Sequence, residues 1–329
     1  MKFSRGLFDS VKERIFFKGQ LATTDQTKFN IGFGINAAYA RYMGVAITSI
    51  AINNPNLALT FHVFANSIEK IDIDRLKLLS KQCCIDIILY LIDDKPFEGL
   101  PTKRYLPIPT YFRFILPKVV NADRVLYLDS DIVCLKSIMP LVELDLEDNI
   151  TATVTDIRYT ATTRSKALRT ARYFNAGVLL IDIKKWNFNN ISEQALDMLF
   201  ETPDHFEFLD QDALNVLLDG KSKFLNKNWN YILSEKTRSG SQDAILLHFA
   251  ANPKPWTALY DQNIKSAYFD YEKISPWNGL PLQLPNHYHD MRPYSKKLWK
   301  EGNYIESIVW LGKYIKNKSM KTLGLNDQK

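Results

Sequence analysis

The chain has 329 residues, of which 46% are hydrophobic and 24% are charged, and its formal net charge at pH 7 is +6. That length allows one large hydrophobic core with an appendage, or two modest domains. No apolar run approaches the roughly 20 residues of a membrane-spanning helix. The three cysteines have no zinc-type spacing and are too few for a disulfide framework, so we expect packing residues of a reduced compartment.

The excess positive charge is concentrated near the C-terminus. From Arg292 onward the chain has nine basic and three acidic residues, so the remainder is neutral. This distribution predicts a local anionic surface as the partner of the tail rather than of the main body. No nucleic acid is expected among the partners. At the N-terminus, charged residues interrupt every apolar pair, unlike a secretory signal, and we expect a cytoplasmic protein.

The first half of the chain alternates between strand and helix patterns. Residues 1–27 mix charges with short apolar pairs and are expected to form a peripheral arm with one helical turn. Strands are predicted at residues 29–35, 57–65 and 85–92, and helices at 37–52 and 68–81. This alternation predicts an α/β fold with a mostly parallel central sheet and helices on both faces. We assign residues 28–275 to this domain.

The second half continues the pattern. Helical segments are predicted at residues 110–118, 137–142, 191–200 and 210–218, and strands at 125–128, 150–156, 178–181 and 245–249. Residues 158–172 are polar and basic and predict a loop. Residues 276–329 form a separate basic, aromatic extension.

The apolar run Val125–Leu128 ends in Asp129, Ser130 and Asp131. Such a run predicts a buried strand, and in open α/β sheets ligands bind beyond the carboxyl ends of strands. Two carboxylates one residue apart can share a divalent cation, which can in turn hold phosphate oxygens. An acidic turn after a core strand is the alternative.

Two other enzyme classes share parts of this sequence pattern. Gly32, Gly34 and Ala37 fit a loose dinucleotide-binding fingerprint, but the next strand is followed by Asn66 instead of the acid that would hold the ribose. The segment from Asp129 also resembles the first motif of haloacid dehalogenase phosphatases. That motif normally begins its domain, whereas about 100 residues of α/β pattern precede it here.

Two further clusters carry candidate chemistry. His248 ends a predicted strand and is soon followed by Lys254 and Trp256, a setting that suits a nucleotide-sugar site with an imidazole metal ligand and a lysine on the diphosphate. Asp210, Gln211 and Asp212 open a helix, where acids either stabilise the helix start or reach a substrate.

A helix is also predicted in the extension. Tyr304, Ile308, Leu311 and Ile315 recur at helical spacing. One interpretation packs this stripe on the main domain. The other sets the nearby tryptophans and lysines against a membrane surface.

Together these motifs resemble glycosyltransferase family 8, the retaining enzymes that use a nucleotide sugar and a metal, and in particular the bacterial lipopolysaccharide outer-core α-glucosyltransferases and α-galactosyltransferases. The resemblance extends from about Phe29 to Trp256, and the tail is similar to the extension of the same subgroup. It implies a GT-A type nucleotide-sugar-binding domain. The segments that carry it are residues 33–39, 111–113, 129–131, 173–177, 209–212, His248 and 254–256.

By position, the resemblance implies roles for individual residues. Asp129, Asp131 and His248 would hold manganese or magnesium, and Lys254 would neutralise charge on the leaving group. Asp210 and Gln211 would face the anomeric carbon. The remaining donor-binding positions would be Gly34, Ile35, Asn36, Tyr39, Arg113, Asp129, Ser130, Asp156, Asn175 and Ala176.

The implied reaction transfers glucose or galactose from a UDP-sugar to the lipopolysaccharide core, with the protein peripheral on the inner face of the inner membrane. Because Gln211 is a poor nucleophile, we favour front-face attack by the acceptor over a covalent intermediate. The chain departs from the family at Asn36, usually an acid, and at Ala251, usually glycine. A glycosyltransferase-like protein that binds without turnover, or a transferase with another polysaccharide or protein acceptor, is therefore the alternative.

Overall fold

The computed structural model describes residues 9–19, 26–103, 106–156, 163–233, 238–250, 253–261 and 266–322. They divide into two compact units. The first unit holds the described residues up to His248 together with Tyr271–Asn278. The second holds those from Phe249 to Asp270 and from Gly279 onward.

Eleven strands form in the described part of the chain. They are β1 (Val11–Phe17), β2 (Thr27–Ile35), β3 (Leu57–Ala65), β4 (Asp86–Ile92), β5 (Arg124–Leu128), β6 (Ile132–Cys134), β7 (Thr151–Thr155), β8 (Phe174–Asp182), β9 (Ser222–Leu225), β10 (Tyr231–Ile232) and β11 (Leu246–His248).

The α-helices of the described residues alternate with these strands and then dominate the C-terminal region. They are α1 (Ala40–Asn53), α2 (Lys70–Cys83), α3 (Leu116–Val119), α4 (Met139–Val142), α5 (Thr163–Leu168), α6 (Ile183–Phe188), α7 (Ile191–Glu201), α8 (Asp210–Leu217), α9 (Ala267–Glu272), α10 (Tyr288–Lys300) and α11 (Tyr304–Thr322). Helix α5 lies within the segment predicted as loop, and residues 158–162 of that segment lie outside the described ranges.

The first unit is built on an eight-stranded sheet of order β1-β4-β3-β2-β5-β8-β7-β9. Four of its seven pairings are parallel, and β1–β4, β5–β8 and β7–β8 are antiparallel. The predicted α/β fold with a mostly parallel sheet is confirmed. Strands β2 to β5 run in one direction, so their carboxyl ends share one edge, where ligands bind in such sheets.

Antiparallel β8 brings a distant segment to this same edge. Leu128 at the end of β5 pairs with Val178, and Thr155 at the end of β7 pairs with Phe174. The start of β8 therefore lies between the ends of β5 and β7. A second sheet, β10-β11-β6, pairs His248 with Ile132, one residue beyond Asp131.

Strand β1 lies within the segment predicted as an arm with one helical turn. Asp9, just before it, is helical, and residues 1–8 lie outside the described ranges. Strand β1 pairs antiparallel with β4 along the edge of the large sheet. Phe17 is buried, while Phe16 is 61% exposed. The charged side chains that interrupt this segment suit an edge strand, because they face water and discourage pairing with other chains.

A 3-10 helix, Ile108–Phe114, packs three aromatic rings into the core. Tyr111, Phe112 and Phe114 are fully buried. The helix passes close to β2, because a Cβ atom built on Gly34 would lie 2.6 Å from the carbonyl oxygen of Pro109. This packing holds Arg113, from the same 3-10 helix, inside the unit, where its side chain is 5% exposed.

The second unit contains the helix pair α10 and α11. Ser295 and Ser307 each donate a hydroxyl hydrogen bond to the other's carbonyl oxygen at 2.8 Å, so the helices approach closely. Tyr294 packs edge-to-face on Trp310 at 5.1 Å between ring centroids. The helical character predicted for the extension is confirmed.

The apolar stripe of α11 faces away from this packed interface. Tyr304, Ile308, Leu311 and Ile315 are 54%, 62%, 42% and 56% exposed, and Ile305 is 82% exposed. Within the second unit, this stripe is therefore not packed. The buried face carries Ser307 and Trp310 instead, because the close approach of two helices favours a small residue there. Among the described helices, none combines the length and the hydrophobicity needed to cross a bilayer.

Candidate active site

The two acids after β5 lie at the carboxyl edge of the large sheet. The Asp129 backbone N–H donates to the carbonyl of Gly177 at 2.9 Å, which continues the β5–β8 pairing by one residue. Asp131 then enters the second sheet through β6. The chain therefore holds the two carboxylates at the junction of the two sheets.

His248 completes a cluster of three potential metal ligands. Its Nε2 lies 3.1 Å from Asp131 Oδ1 and 3.9 Å from Asp129 Oδ2. One ligand atom from each residue lies within 4.8 Å of the others. Two carboxylates and an imidazole form the mixed oxygen and nitrogen donor set that suits a first-row divalent cation such as Mn²⁺.

Gly177 leaves room for this cluster. A Cβ atom at this position would lie 2.5 Å from His248 Cε1, 2.7 Å from Asp129 Oδ2 and 2.9 Å from Asn175 Oδ1. Real Cβ atoms do not approach other heavy atoms so closely. A side chain at position 177 would therefore displace two of the three potential ligands.

Arg113 connects the acid pair to helix α8. Its guanidinium lies 3.1 Å from Asp129 Oδ1 and 3.0 Å from Asp210 Oδ2, and it donates to the carbonyl of Ala176 at 2.7 Å. Tyr127 adds a hydroxyl hydrogen bond to Asp129 Oδ1 at 2.9 Å. The orientation of Asp129 is thus fixed by two donors on its Oδ1, while its Oδ2 faces His248.

Asp210 is 2% exposed, and both of its carboxylate oxygens have partners. Thr110 Oγ1 donates to Oδ1 at 2.8 Å, and Oδ2 pairs with Arg113. Burial raises the pKa of this carboxyl to about 6, although Arg113 and Thr110 act in the opposite direction.

Gln211 is held by three hydrogen bonds. Its Oε1 accepts from Asn175 Nδ2 at 3.0 Å and from the Ala176 backbone N–H at 3.1 Å. Its Nε2 donates to the Tyr173 hydroxyl at 3.0 Å. The start of β8 and the first turn of α8 are thereby joined.

A second set of predicted donor-binding residues lies at the end of β2, at the same edge of the sheet. Asn36 Oδ1 is a buried acceptor without a hydrogen-bond partner in the described structure. Such an orphaned atom fits a position that receives a ligand donor. Burial, followed by the charges of Asp131 and Asp129, raises the pKa of Tyr39 to about 12. Ile35 has a buried side chain, and Gly34 makes its close approach to the 3-10 helix.

The remaining predicted positions differ in how the structure places them. Ser130 is 9% exposed between the two acids, and the Asp156 backbone N–H donates to the carbonyl of Tyr173 at 2.8 Å. Lys254 belongs to the second unit, where its ammonium donates to the carbonyl of Phe249. Ala251 lies outside the described residues.

Two residues around the site, Asn230 and Arg164, were not identified from the sequence. Asn230 Oδ1 lies 2.9 Å from His248 Nδ1. Asp212, fully buried, accepts from Arg164, from the Tyr173 hydroxyl and from the Phe208 N–H. Asp212 therefore stabilises the start of α8, in agreement with the helix-start interpretation of this residue. No motif spacing marks Asn230 or Arg164, since each comes from a segment without a regular pattern.

A sheet edge that carries an acid pair and a histidine, beside a polar strand start, is the arrangement of nucleotide-sugar-dependent glycosyltransferases with the GT-A fold. The family model described as "Glycosyl transferase family 8" matches residues 30–259, and "Glycosyl transferase family 8 C-terminal" matches residues 264–318. The chain belongs to glycosyl transferase family 8.

Relatives are similar over nearly their whole length. A lipopolysaccharide 1,3-galactosyltransferase of Salmonella typhimurium is 33% identical, with 91% of this chain and 94% of the relative covered. A lipopolysaccharide 1,2-glucosyltransferase of Escherichia coli K12 is 30% identical, with 92% and 94% covered. These two relatives differ in the sugar that they transfer.

A solved structure shows the same fold. The galactosyltransferase LgtC, in complex with donor and acceptor sugar analogs, matches with a TM-score of 0.66 and 26% identity, covering 77% of this chain and 98% of that chain. The comparison confirms the GT-A type fold and the family that the sequence motifs resembled.

Proposed function

We propose that this protein is a retaining α-hexosyltransferase that moves glucose or galactose from a UDP-sugar to a hydroxyl of the lipopolysaccharide core. The convergence of Asp129, Asp131 and His248 beside Asp210 and Gln211 carries this proposal. The names of the similar proteins support the acceptor class, and they include both galactosyl- and glucosyltransferases.

Donor binding is assigned to the sheet edge. Asp129, Asp131 and His248 would hold Mn²⁺ or Mg²⁺, which when bound supplies positive charge to the diphosphate leaving group. Asn36 and Tyr39 would take the nucleoside, because Asn36 offers an unpartnered acceptor to a donor such as the uracil N–H. Lys254 would add charge at the diphosphate. Arg113, Ser130, Asp156, Asn175 and Ala176 would line the donor sugar and diphosphate.

Retention of configuration follows here from front-face attack. A covalent route would require a carboxylate that can approach the anomeric carbon. Asp210 is buried with both oxygens bound, and Gln211 is an amide, so neither presents an available nucleophile. The acceptor hydroxyl attacks the face that the leaving group vacates, and its proton passes to the departing phosphate oxygen. Detection of a glycosylated Asp210 with a slow donor would contradict this route.

Access to the acceptor is assigned to the basic extension. Helix α11 exposes Tyr304, Ile305, Ile308 and Ile315 beside the exposed lysines 313, 316 and 318. An outward apolar face with neighbouring lysines is typical of helices that lie in the interface of an anionic membrane. The protein would then be cytoplasmic and peripheral on the inner face of the inner membrane, where a lipid-anchored acceptor is displayed.

The deciding experiment measures UDP release from UDP-glucose and UDP-galactose, with and without Mn²⁺. Wild-type protein is expected to release UDP from one of the two donors in a metal-dependent manner. Asp131→Asn should abolish this turnover, while the exposed surface acid variant Asp148→Asn should retain it. Metal-dependent turnover in Asp131→Asn would contradict the site. The absence of turnover in wild type with either donor would favour a binding protein.

The acceptor is tested separately in cells. Mass spectrometry of core oligosaccharide from cells that lack the protein should show a core short of one hexose and the sugars that follow it. Re-expression of wild type, but not of Asp131→Asn, should restore the mass. An unchanged core would favour a different polysaccharide or protein acceptor.

A further inference from the structure

A continuous chain of side-chain amides runs from helix α8 to the metal-ligand cluster. Gln211 Oε1 accepts from Asn175 Nδ2 at 3.0 Å, and Asn175 Oδ1 accepts from Asn230 Nδ2 at 2.9 Å. Asn230 Oδ1 in turn lies 2.9 Å from His248 Nδ1. Two amides, Asn175 and Asn230, thus connect Gln211, which is assigned to the sugar, with His248, which is assigned to the metal.

Two backbone groups determine which amide atom is oxygen and which is nitrogen. The Ala176 N–H donates to Gln211 Oε1 at 3.1 Å, and the Gly177 N–H donates to Asn175 Oδ1 at 3.1 Å. Because a backbone N–H can only donate, each of these side-chain atoms must be the carbonyl oxygen. The Asn175 amide is therefore oriented by its own strand.

The orientation of the Asn175 amide determines that of Asn230, and through it the tautomer of His248. Since Asn175 presents oxygen to Asn230, the Asn230 side chain must present its NH₂ group there and its oxygen to His248. An oxygen at that position requires His248 Nδ1 to carry the proton. His248 Nε2, which faces Asp129 and Asp131, is then the nitrogen available to a cation.

Asn230 is buried, and the backbone around it is held by hydrogen bonds. It is 4% exposed and ends the 3-10 helix Lys227–Asn230, immediately before β10. That helix is fixed by the Asn226 side chain, which accepts from the Asn228 N–H at 3.0 Å, and by the Ile245 N–H, which donates to the carbonyl of Asn228 at 2.8 Å. Strands β10 and β11 are paired with Ile232 opposite His248, so the segment that follows Asn230 is held beside the strand that carries the histidine.

We propose that Asn230 is a positioning residue that holds His248 in the tautomer and ring orientation required for metal binding, and that links this ligand through Asn175 to Gln211. The proposal rests on the metal site of the proposed function. It assigns a role to a residue whose described hydrogen bonds reach the metal site only through His248 and the assigned sugar site only through Asn175.

The test measures the affinity of the purified protein for Mn²⁺ alone, by calorimetry or by electron paramagnetic resonance of free Mn²⁺. Loss of a partner that orients a metal-ligating histidine typically costs about 10- to 100-fold in metal affinity. Asn230→Ala is therefore expected to weaken Mn²⁺ binding by about tenfold or more. The matched control Asn228→Ala, two residues away in the same 3-10 helix, should bind Mn²⁺ as wild type does.

Asn230→Asp tests separately the two contacts of Asn230, with His248 and with Asn175. One carboxylate oxygen still accepts from His248 Nδ1–H, so Mn²⁺ affinity should return to at least the wild-type level. The other carboxylate oxygen faces Asn175 Oδ1. Because both atoms are acceptors, no hydrogen bond forms there, and kcat for UDP release should stay below the wild-type value. This split between metal affinity and turnover would not arise from a general loss of folding, which the thermal midpoint of each variant monitors.

The outcomes distinguish this proposal from the proposed function. If wild-type protein and Asn228→Ala bind Mn²⁺ and Asn230→Ala binds it within about threefold of wild type, the positioning role is overturned while the metal site stands. If wild type does not bind Mn²⁺, the metal site itself fails. If Asn230→Asp binds as weakly as Asn230→Ala, orientation of His248 by an acceptor is excluded.

Discussion

Asp129 and Gly177, 48 positions apart, are joined by a backbone hydrogen bond of 2.9 Å from the Asp129 N–H to the Gly177 carbonyl. This bond lies one residue beyond the last pair of β5 and β8. It fixes the register between the acid pair and the polar start of β8. An error of one residue in that register would turn Asn175 to the opposite face of the sheet.

The first prediction concerns Gly177→Ala. Its added methyl group would lie 2.5 Å from His248 Cε1 and 2.7 Å from Asp129 Oδ2. We expect the two ligands to separate and Mn²⁺ affinity to fall by about tenfold or more, as for other displaced ligand geometries. Calorimetric titration with Mn²⁺ measures this change.

Gly312→Ala is the control for an added methyl group. Gly312 lies in α11, and a Cβ atom there meets no heavy atom within 4 Å. This substitution should leave Mn²⁺ affinity unchanged and stabilise the helix by about 1 kcal/mol. Wild-type affinity in Gly177→Ala would show that the site tolerates the methyl group.

The second prediction concerns the ion pairs of Arg113. Arg113→Met keeps an unbranched side chain in place of the apolar stem but removes the guanidinium, and so leaves the buried Asp210 carboxylate without its cation. Removal of one partner of a buried ion pair destabilises a protein by about 3–5 kcal/mol. Because Asp129 retains partial contact with water, we expect a loss near 3 kcal/mol in the free energy of unfolding, measured with urea.

A double-mutant cycle with Asp210→Asn isolates the pair. The double variant should be less destabilised than the sum of the two single variants, because the neutral amide removes the unpaired charge. Additive losses would mean that Arg113 acts through packing and through its other partners.

The third prediction concerns pH and His62. The His62 ring lies between Asn30 Oδ1 at 2.9 Å and the Tyr90 hydroxyl at 3.0 Å, and burial lowers its pKa to about 4. Between pH 4 and pH 6.5 the unfolded chain binds more protons at this residue than the folded protein. Stability from the neutral ring is therefore complete above pH 6.5 and is lost as pH falls toward 4, by about 2 kcal/mol between pH 7 and pH 4.5.

His62→Gln removes this titration while retaining a donor and an acceptor. The decrease in unfolding free energy from pH 7 to pH 4.5 should be about 2 kcal/mol smaller in the variant than in wild type. Carboxylates elsewhere contribute equally to both proteins and cancel in the comparison. Identical decreases would exclude His62 as a source of acid sensitivity.

The fourth prediction concerns the exposed face of α11. The double variant Ile308→Glu with Ile315→Glu should lose flotation with vesicles that contain phosphatidylglycerol, because two apolar anchors are replaced by anions. The thermal midpoint should not change, since both side chains are exposed.

Ile71→Glu with Leu78→Glu is the matched control. These residues of α2 are 53% and 54% exposed in the first unit. The control should float with vesicles as wild type does. Equal flotation of wild type and the α11 variant would remove the membrane assignment of the extension.

The sequence predicted the elements whose patterns are strong. The strand at residues 57–65 and the helix that begins at Asp210 were placed correctly, because hydrophobic runs and turn residues mark their limits. The same reasoning found Asp129, Asp131 and His248, which the fold brings together. Strand pairing then supplies what spacing cannot, since Ile132 and His248 are 116 positions apart and become neighbours only through β6 and β11.

The features that the sequence did not reveal also have physical explanations. Val11–Phe17 has the mixed charge of an arm because an edge strand needs polar side chains toward water, so local composition could not reveal it. Asn230 carries no signal in its own segment, because its role depends on a strand start and a histidine that are distant in sequence. The stripe of α11 has the period of a packed helix, and only the structure shows that α10 packs on a different face of α11.

Strand β1 also determines how far the protein can be shortened from its N-terminus. It pairs with the edge of β4. Two residues after β1 ends, the Gly19 N–H donates to Asp86 Oδ1 at 3.0 Å. A truncation that removes residues 11–17 would leave β4 paired only with β3. The other edge of β4, along the apolar residues Ile87 to Ile92, would then be exposed. An exposed strand edge can pair with other chains, so the shortened protein should aggregate even though every residue of the candidate active site is retained.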